Sequence, residues 1–134
     1  MNLTFQGKRM SMSPTFIGTQ PREFKLGKDK VVPMSGEAPA ALALLQSLDD
    51  KQQKTARVGD RRRNIVTAAG KDGFVPVPIG LPVKSLNANQ RIYLISLLGE
   101  YVGDLPEPFA QHRLKELSGE IDKMSFAWWG PAQK

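Results

Sequence analysis

Apolar side chains recur through residues 85–105, SLNANQRIYLISLLGEYVGDL, at the spacing of one helical face. Leu94, Ile95, Leu98, Tyr101, Val102 and Leu105 form the stripe, and Leu97 and Ile92 widen it. Asn87 followed three places on by Gln90 has the form of a capping box, in which two otherwise orphaned donors are satisfied reciprocally, and Gly103 is the stop signal. About seven large apolar side chains, at roughly 1.5–3 kcal/mol each, give a gross gain on the order of 10–20 kcal/mol before entropy is subtracted. This helix therefore needs a partner surface. A second helical pattern starts at Ser35, taken as its N-cap, with Pro39 inside the first turn. Its buried face is predicted to be Ala38, Ala41, Leu42, Leu45 and Leu48, with Leu44 at the margin. Asp49 with Gln52 repeats the capping-box logic and opens a short helix over Lys51–Val58, ending at Gly59.

Elsewhere the period is shorter. Leu3-Thr4-Phe5, a Gly7-Lys8 turn, and Met10 and Met12 alternating with polar residues predict a hairpin, followed past Pro14 by the Thr15-Phe16-Ile17 run. Val31-Val32 adds a short strand after the Gly27–Lys30 turn. Residues 60–83 are broken by Gly70, Gly73, Pro76, Pro78, Gly80 and Pro82, with Ile65-Val66 as a β-like spot. Their alternating Phe74, Val75, Val77, Ile79, Leu81 and Val83 suggest an extended segment lying across the core. A further helix is expected from a cap at Asp104 or Leu105, with the stripe Ala110, Leu114, Leu117, Ile121 and Met124. The short connection predicts that it runs antiparallel to the preceding helix. Ser125–Gly130 then reads as a strand. Phe126 and Trp128 share one face and Trp129 takes the other, so one tryptophan should be buried and one exposed. The expected architecture is a single α+β domain over 1–134: β-rich to residue 34, helical over 35–58, irregular over 59–84, a helix pair over 85–124 and a strand at 125–130.

Composition narrows the chemistry. At 134 residues with 40% hydrophobic content the chain can bury a small core. No stretch approaches the roughly 18 uninterrupted apolar residues of a membrane span, and MNLTFQGKRM lacks the order of a signal peptide, so a soluble protein is expected. Cysteine is absent, which excludes disulfides and thiolate metal sites. A single histidine leaves few nitrogen ligands, and neither a metal nor another cofactor is expected. The net charge of +6 comes from separated clusters without interleaved aromatic residues, which argues against nucleic acid as the partner.

The candidate binding residues are few. Arg61, Arg62 and Arg63 form a cationic run that could meet an anion or a nucleic-acid backbone. Trp129 is the tryptophan left for a ligand, or for self-association along the C-terminal strand edge. His112 shares a helix face with Glu116. Asp49-Asp50, Asp104/Glu107 and Glu116/Glu120 are carboxylate pairs already explained by caps and solvated faces, so no catalytic residue is assigned. Gly70-Lys71-Asp72-Gly73 lacks the Lys-Ser/Thr spacing of a phosphate loop.

The order of several segments is nonetheless familiar. Ala-Leu-Leu-x-Ser-Leu-x-x-x-Gln over 43–52, Asn64-Ile65-Val66-Thr67, Gly80-Leu81-Pro82, Leu86-Asn87-x-x-Gln90-Arg91, Leu97–Val102, Arg113–Leu117 and Phe126-Ala127-Trp128-Trp129-Gly130 resemble the middle of an uncharacterised bacterial and fungal family. It is the one numbered thirty-five hundred among the domains of unknown function. The resemblance implies a longer protein, with a histidine pair before the Leu3-Thr4-Phe5 segment and a His-x-His segment after the tryptophan strand. On that basis the chain is expected to be a non-catalytic or truncated fragment acting at most as a binding module. The alternatives are part of a metal-dependent or hydrolase-like enzyme whose site lies in the missing ends, or an anion or nucleic-acid binder using Arg61–Arg63.

Overall fold

The computed structural model of the chain describes residues 3–7, 9–12, 17–61, 66–67, 70–71 and 73–131. They divide into two compact units, Met1–Ser35 with Val66–Val75 and Gly36–Ile65 with Pro76–Lys134. Within the first lie two antiparallel hairpins: β1 (Leu3–Gln6) with β2 (Arg9–Met12), and β3 (Phe24–Leu26) with β4 (Asp29–Val31). Gly7 (φ 61°) and Gly27 (φ 65°) supply the left-handed turn residues. The expected N-terminal hairpin is therefore present, and the second strand of the other hairpin stops at Val31. The facing of Met10 and Met12, and Pro14, Thr15 and Phe16, lie outside the described side chains. On the second hairpin Lys30 pairs with Glu23 at 2.8 Å. That hydrogen bond, and then the lysine's charge, hold the Glu23 carboxyl below its ordinary value.

The second unit is built on helices α1 (Glu37–Ser47), α2 (Asp50–Ala56), α3 (Ala88–Val102) and α4 (Phe109–Gly119). Both capping boxes form as the spacing predicts: Asp49 Oδ1 accepts from the Gln52 N–H at 2.8 Å and Asn87 Oδ1 from the Gln90 N–H at 2.9 Å. The glutamine oxygens accept from the cap N–H groups in return. The start of α1 differs. Gly36, not Ser35, is its N-cap, and no side chain caps it. The Glu100 carboxyl occupies the space a Cβ on Gly36 would need, bringing negative charge to the positive end of the helix. α4 likewise begins later than expected from an Asp104 or Leu105 cap, with Pro108 at its N-cap.

The main partner of α3 is α1, although α3 also touches α4. That changes which residues sit at the centre. Leu44 is fully buried, with Leu45, Leu48, Leu94, Leu97, Leu86 and Val83 around it, while Ala38 is exposed. On α3 the buried residues are Gln90, Leu94, Leu97 and Val102; Ile95 and Leu98 are half-buried, and Ile92 and Tyr101 are exposed. Burial, and then the carboxylate of Glu37, push the partly covered Tyr101 phenol above its usual value. The apolar stripe thus correctly indicated a helix but placed its inward centre one position off, toward Leu98 instead of Leu97.

Residues 57–59 do not continue α2. They form strand β5 (Arg57–Gly59), and β6 (Leu81–Pro82) follows the irregular stretch. Only the end of that stretch packs inward: Leu81 and Val83 are buried, whereas Phe74, Val75, Val77 and Ile79 are exposed. The predicted C-terminal strand is divided at Ala127 into β7 (Ser125–Phe126) and β8 (Trp128–Trp129), which pair with different partners. β7 runs antiparallel to β6, with Leu81 opposite Phe126, and β8 runs parallel to β5, with Arg57 opposite Trp128. Gly80, at φ 92°, lies so close to this break that a Cβ there would meet the Phe126 carbonyl oxygen and the Ala127 Cα. The break at Ala127 interrupts the continuous alternation, and both tryptophans are half-buried. This overturns the expectation of one buried and one exposed.

Candidate functional site

A local symmetry joins the two capping boxes. Gln52 Nε2 donates to the Ser85 carbonyl at 3.1 Å, and Gln90 Nε2 donates to the Ser47 carbonyl at 2.9 Å. The two amides also donate to each other's Oε1, at 3.1 and 2.8 Å. Ser47–Gln52 and Ser85–Gln90 are thereby clasped through their shared Ser-Leu-x-x-x-Gln pattern, and Gln90, 4% exposed, has every polar atom partnered.

Beside this clasp is a recess of about 400 Å³ lined by Ser47, Asn87, Asn89, Gln90, Ile92 and Tyr93. Its size overstates its capacity to bind. The Ser47 hydroxyl already donates to the Leu44 carbonyl, and the Asn87 and Gln90 side chains are committed to capping. A ligand there would find few groups able to turn toward it.

A smaller recess of about 280 Å³ has different chemistry. Leu45 forms its apolar floor, and Asp50, Gln53, Lys54 and Arg57 line it at helical spacing along α2 and into β5, facing Trp128. Trp128 packs against the core and lies 6.4 Å from Phe126, ring centre to ring centre, with the planes tilted by 41°. Its indole N–H donates to the Pro131 carbonyl at 3.3 Å, so the ring's polar edge is held and its carbon face remains as surface. Lys54 has no ion-pair partner among the described residues. Arg57 holds Asp60 through one guanidinium nitrogen at 2.8 Å, leaving other N–H groups of that fork. Gln53 Nε2 donates to the Leu48 carbonyl at 3.0 Å, leaving its Oε1 as an acceptor.

The residues singled out in the sequence are dispersed. Arg61 is exposed just past β5, and Arg62 and Arg63 lie outside the described residues. Trp129 is half-buried opposite Gly59, where its ring leaves a Cβ little room. His112 is on α4, its side chain 76% exposed and its Nε2 3.4 Å from Glu116. The structure thus sets Trp129 beside the strand leading to Arg61 and places His112 on a separate element. Lys54, Arg57 and Trp128 were not proposed. Their signal in the sequence was a Lys-x-x-Arg step after a capped helix, which is indistinguishable from a solvated face until β8 is laid beside it.

Among the described residues no cluster of three or more His, Cys, Asp or Glu is placed to hold a metal ion, and no helix is long and apolar enough to cross a membrane. The family model described as protein of unknown function DUF3500 matches residues 1–134. The chain belongs to that family. No curated protein and no solved structure gives a significant match. Within this DUF3500 chain, the Trp128 recess is where an aromatic face, two cations and two acceptors converge on one space.

Proposed function

We propose that this DUF3500 chain is a non-catalytic binding module whose ligand site is the recess between α2 and Trp128. The observation that carries the proposal is the unpaired Lys54 beside a tryptophan face whose own N–H is already bonded within the chain. A fixed aromatic surface flanked by free polar groups suits reversible recognition: the ring supplies contact area, and the polar groups set orientation. The anion-binding role considered for Arg61–Arg63 is reassigned to Lys54 and Arg57, which share a defined concavity.

The test is a ¹H–¹⁵N correlation spectrum of the full chain, recorded against a panel of small acids, sugars and amines. Shifts are expected at the Trp128 indole and at the amides of Lys54 and Arg57. Shifts clustered instead at Asn89 and Tyr93 would move the site to the larger recess and end the proposal.

A further inference from the structure

The order of groups around Trp128 indicates a class of ligand, an inference that rests on that recess being the binding site. Asp50 and the free Oε1 of Gln53 are acceptors, whereas Lys54 and Arg57 are donors carrying positive charge. The acceptors thus lie toward the start of α2 and the donors toward its end. At about 1.5 Å per residue, Asp50 and Lys54 are separated by about 6 Å along the helix axis, and Arg57 follows as the first residue of β5. A ligand bridging them needs hydroxyl or amine hydrogens at one end and a negative charge at the other. Between the ends it needs a flat or weakly polar face for the indole.

We infer that the recess takes a single six-membered sugar ring bearing a carboxylate, a hexuronate. Its C–H face lies on Trp128, its carboxylate meets Lys54 and Arg57, and its hydroxyls donate to Asp50 and Gln53. The volume of about 280 Å³ lies near the lower end of ligand pockets, roughly 300–1,000 Å³, and matches one ring better than a run of rings. An aromatic acid could stack and pair equally well but would leave Asp50 and Gln53 without hydrogens to accept. A neutral sugar would leave Lys54 without its counter-charge. A hexuronate can come as the free sugar acid or as one residue of an acidic polysaccharide, and the recognition chemistry is common to both.

The experiment follows tryptophan fluorescence and calorimetric heats of the full chain with galacturonate, tetragalacturonate, galactose and benzoate. Galacturonate is expected to bind at least tenfold more tightly than galactose or benzoate. Lys54→Ala should weaken it about tenfold, the loss of roughly 1.4 kcal/mol, while Lys54→Arg retains most of the affinity. Trp128→Phe keeps a flat ring and controls for folding. Tighter binding of the tetramer identifies the polymer as the source, and equal binding per ring identifies the free acid. Galactose or benzoate binding as well as galacturonate overturns the hexuronate assignment while leaving the recess a site. If none of the four perturbs Trp128 or produces heat, the hexuronate assignment fails. The panel spectrum then decides separately whether the recess binds anything.

Discussion

Replacing Gln90 by alanine tests whether the clasp between the capping boxes holds the second unit together. The side chain makes four hydrogen bonds: to the Ser47 carbonyl, to and from the Gln52 amide, and from the Asn87 N–H. At about 0.5–1.5 kcal/mol net for each bond, their gross worth is roughly 2–6 kcal/mol. Water can re-bond part of what the alanine leaves, so a destabilisation of about 2–4 kcal/mol is expected. At a mid-range urea slope of about 2 kcal/mol/M, the midpoint should fall by about 1–2 M. Gln90→Glu should be no better, because a carboxylate keeps the acceptor but donates to neither the Ser47 carbonyl nor Gln52, and its charge would be buried. The adjacent, exposed Asn89→Ala is the control and should stay within about 0.5 kcal/mol. The decisive comparison is the Gln52→Ala/Gln90→Ala double-mutant cycle, with circular dichroism as readout, where a coupling of at least about 0.5 kcal/mol is expected. If the two single effects simply add, or if Gln90→Ala unfolds at the wild-type midpoint, the clasp is only two independent helix starts.

Leu44→Ala, at the fully buried centre, should cost about 2–5 kcal/mol, against less than about 2 for half-buried Leu98→Ala; equal urea midpoints would contradict the core assignment. Gly80→Ala combines a φ of 92° with a collision at Phe126, so loss of at least about 2 kcal/mol is expected by thermal denaturation. The Glu23 carboxyl should titrate below its ordinary 4.5 in a carbon-detected NMR pH series, and Lys30→Ala should raise its midpoint. Because its folded value is depressed, any stability from this pair is present above the unfolded value and is lost as pH falls through the lower folded one. Trp128→Phe and Trp129→Phe, each leaving one tryptophan, should give similar acrylamide quenching; a several-fold difference would restore the asymmetric burial the alternation suggested.

The helices, and the starts of α2 and α3, were readable in the sequence because their causes are local, whereas α1 and α4 begin without a side-chain cap and their starts were misplaced. Asp49 with Gln52 and Asn87 with Gln90 need only residues within one turn of each other, and both boxes formed. Periodicity gives the direction of a helix's apolar face but not the neighbour that will cover it, which is why Leu44 was placed at a margin and Leu98 at a centre. Non-local pairing left still less trace. Nothing around Arg57 announces a strand, because its partner Trp128 lies far along the chain, and Val58 fits a helix end equally well. The candidate site inherits that limit: Lys54 and Arg57 became interesting only when β8 supplied an aromatic wall.

The divided strand at Ser125–Trp129 also constrains the order of events during synthesis. β5 leaves the ribosome early and waits for β8, while β6, after its own long interval, waits for β7. Contacts so distant in sequence close slowly, because the loop must be ordered before pairing rewards it. The α1–α3 packing can assemble first, but the walls that complete the core and the Trp128 recess arrive together at the end. A nascent chain halted after Met124 should therefore show helical circular dichroism yet be cleaved readily at β5 and β6, and extension through Trp129 should abolish that cleavage. Equal protease resistance of the two chains would mean that the second unit closes without its final pair of strands.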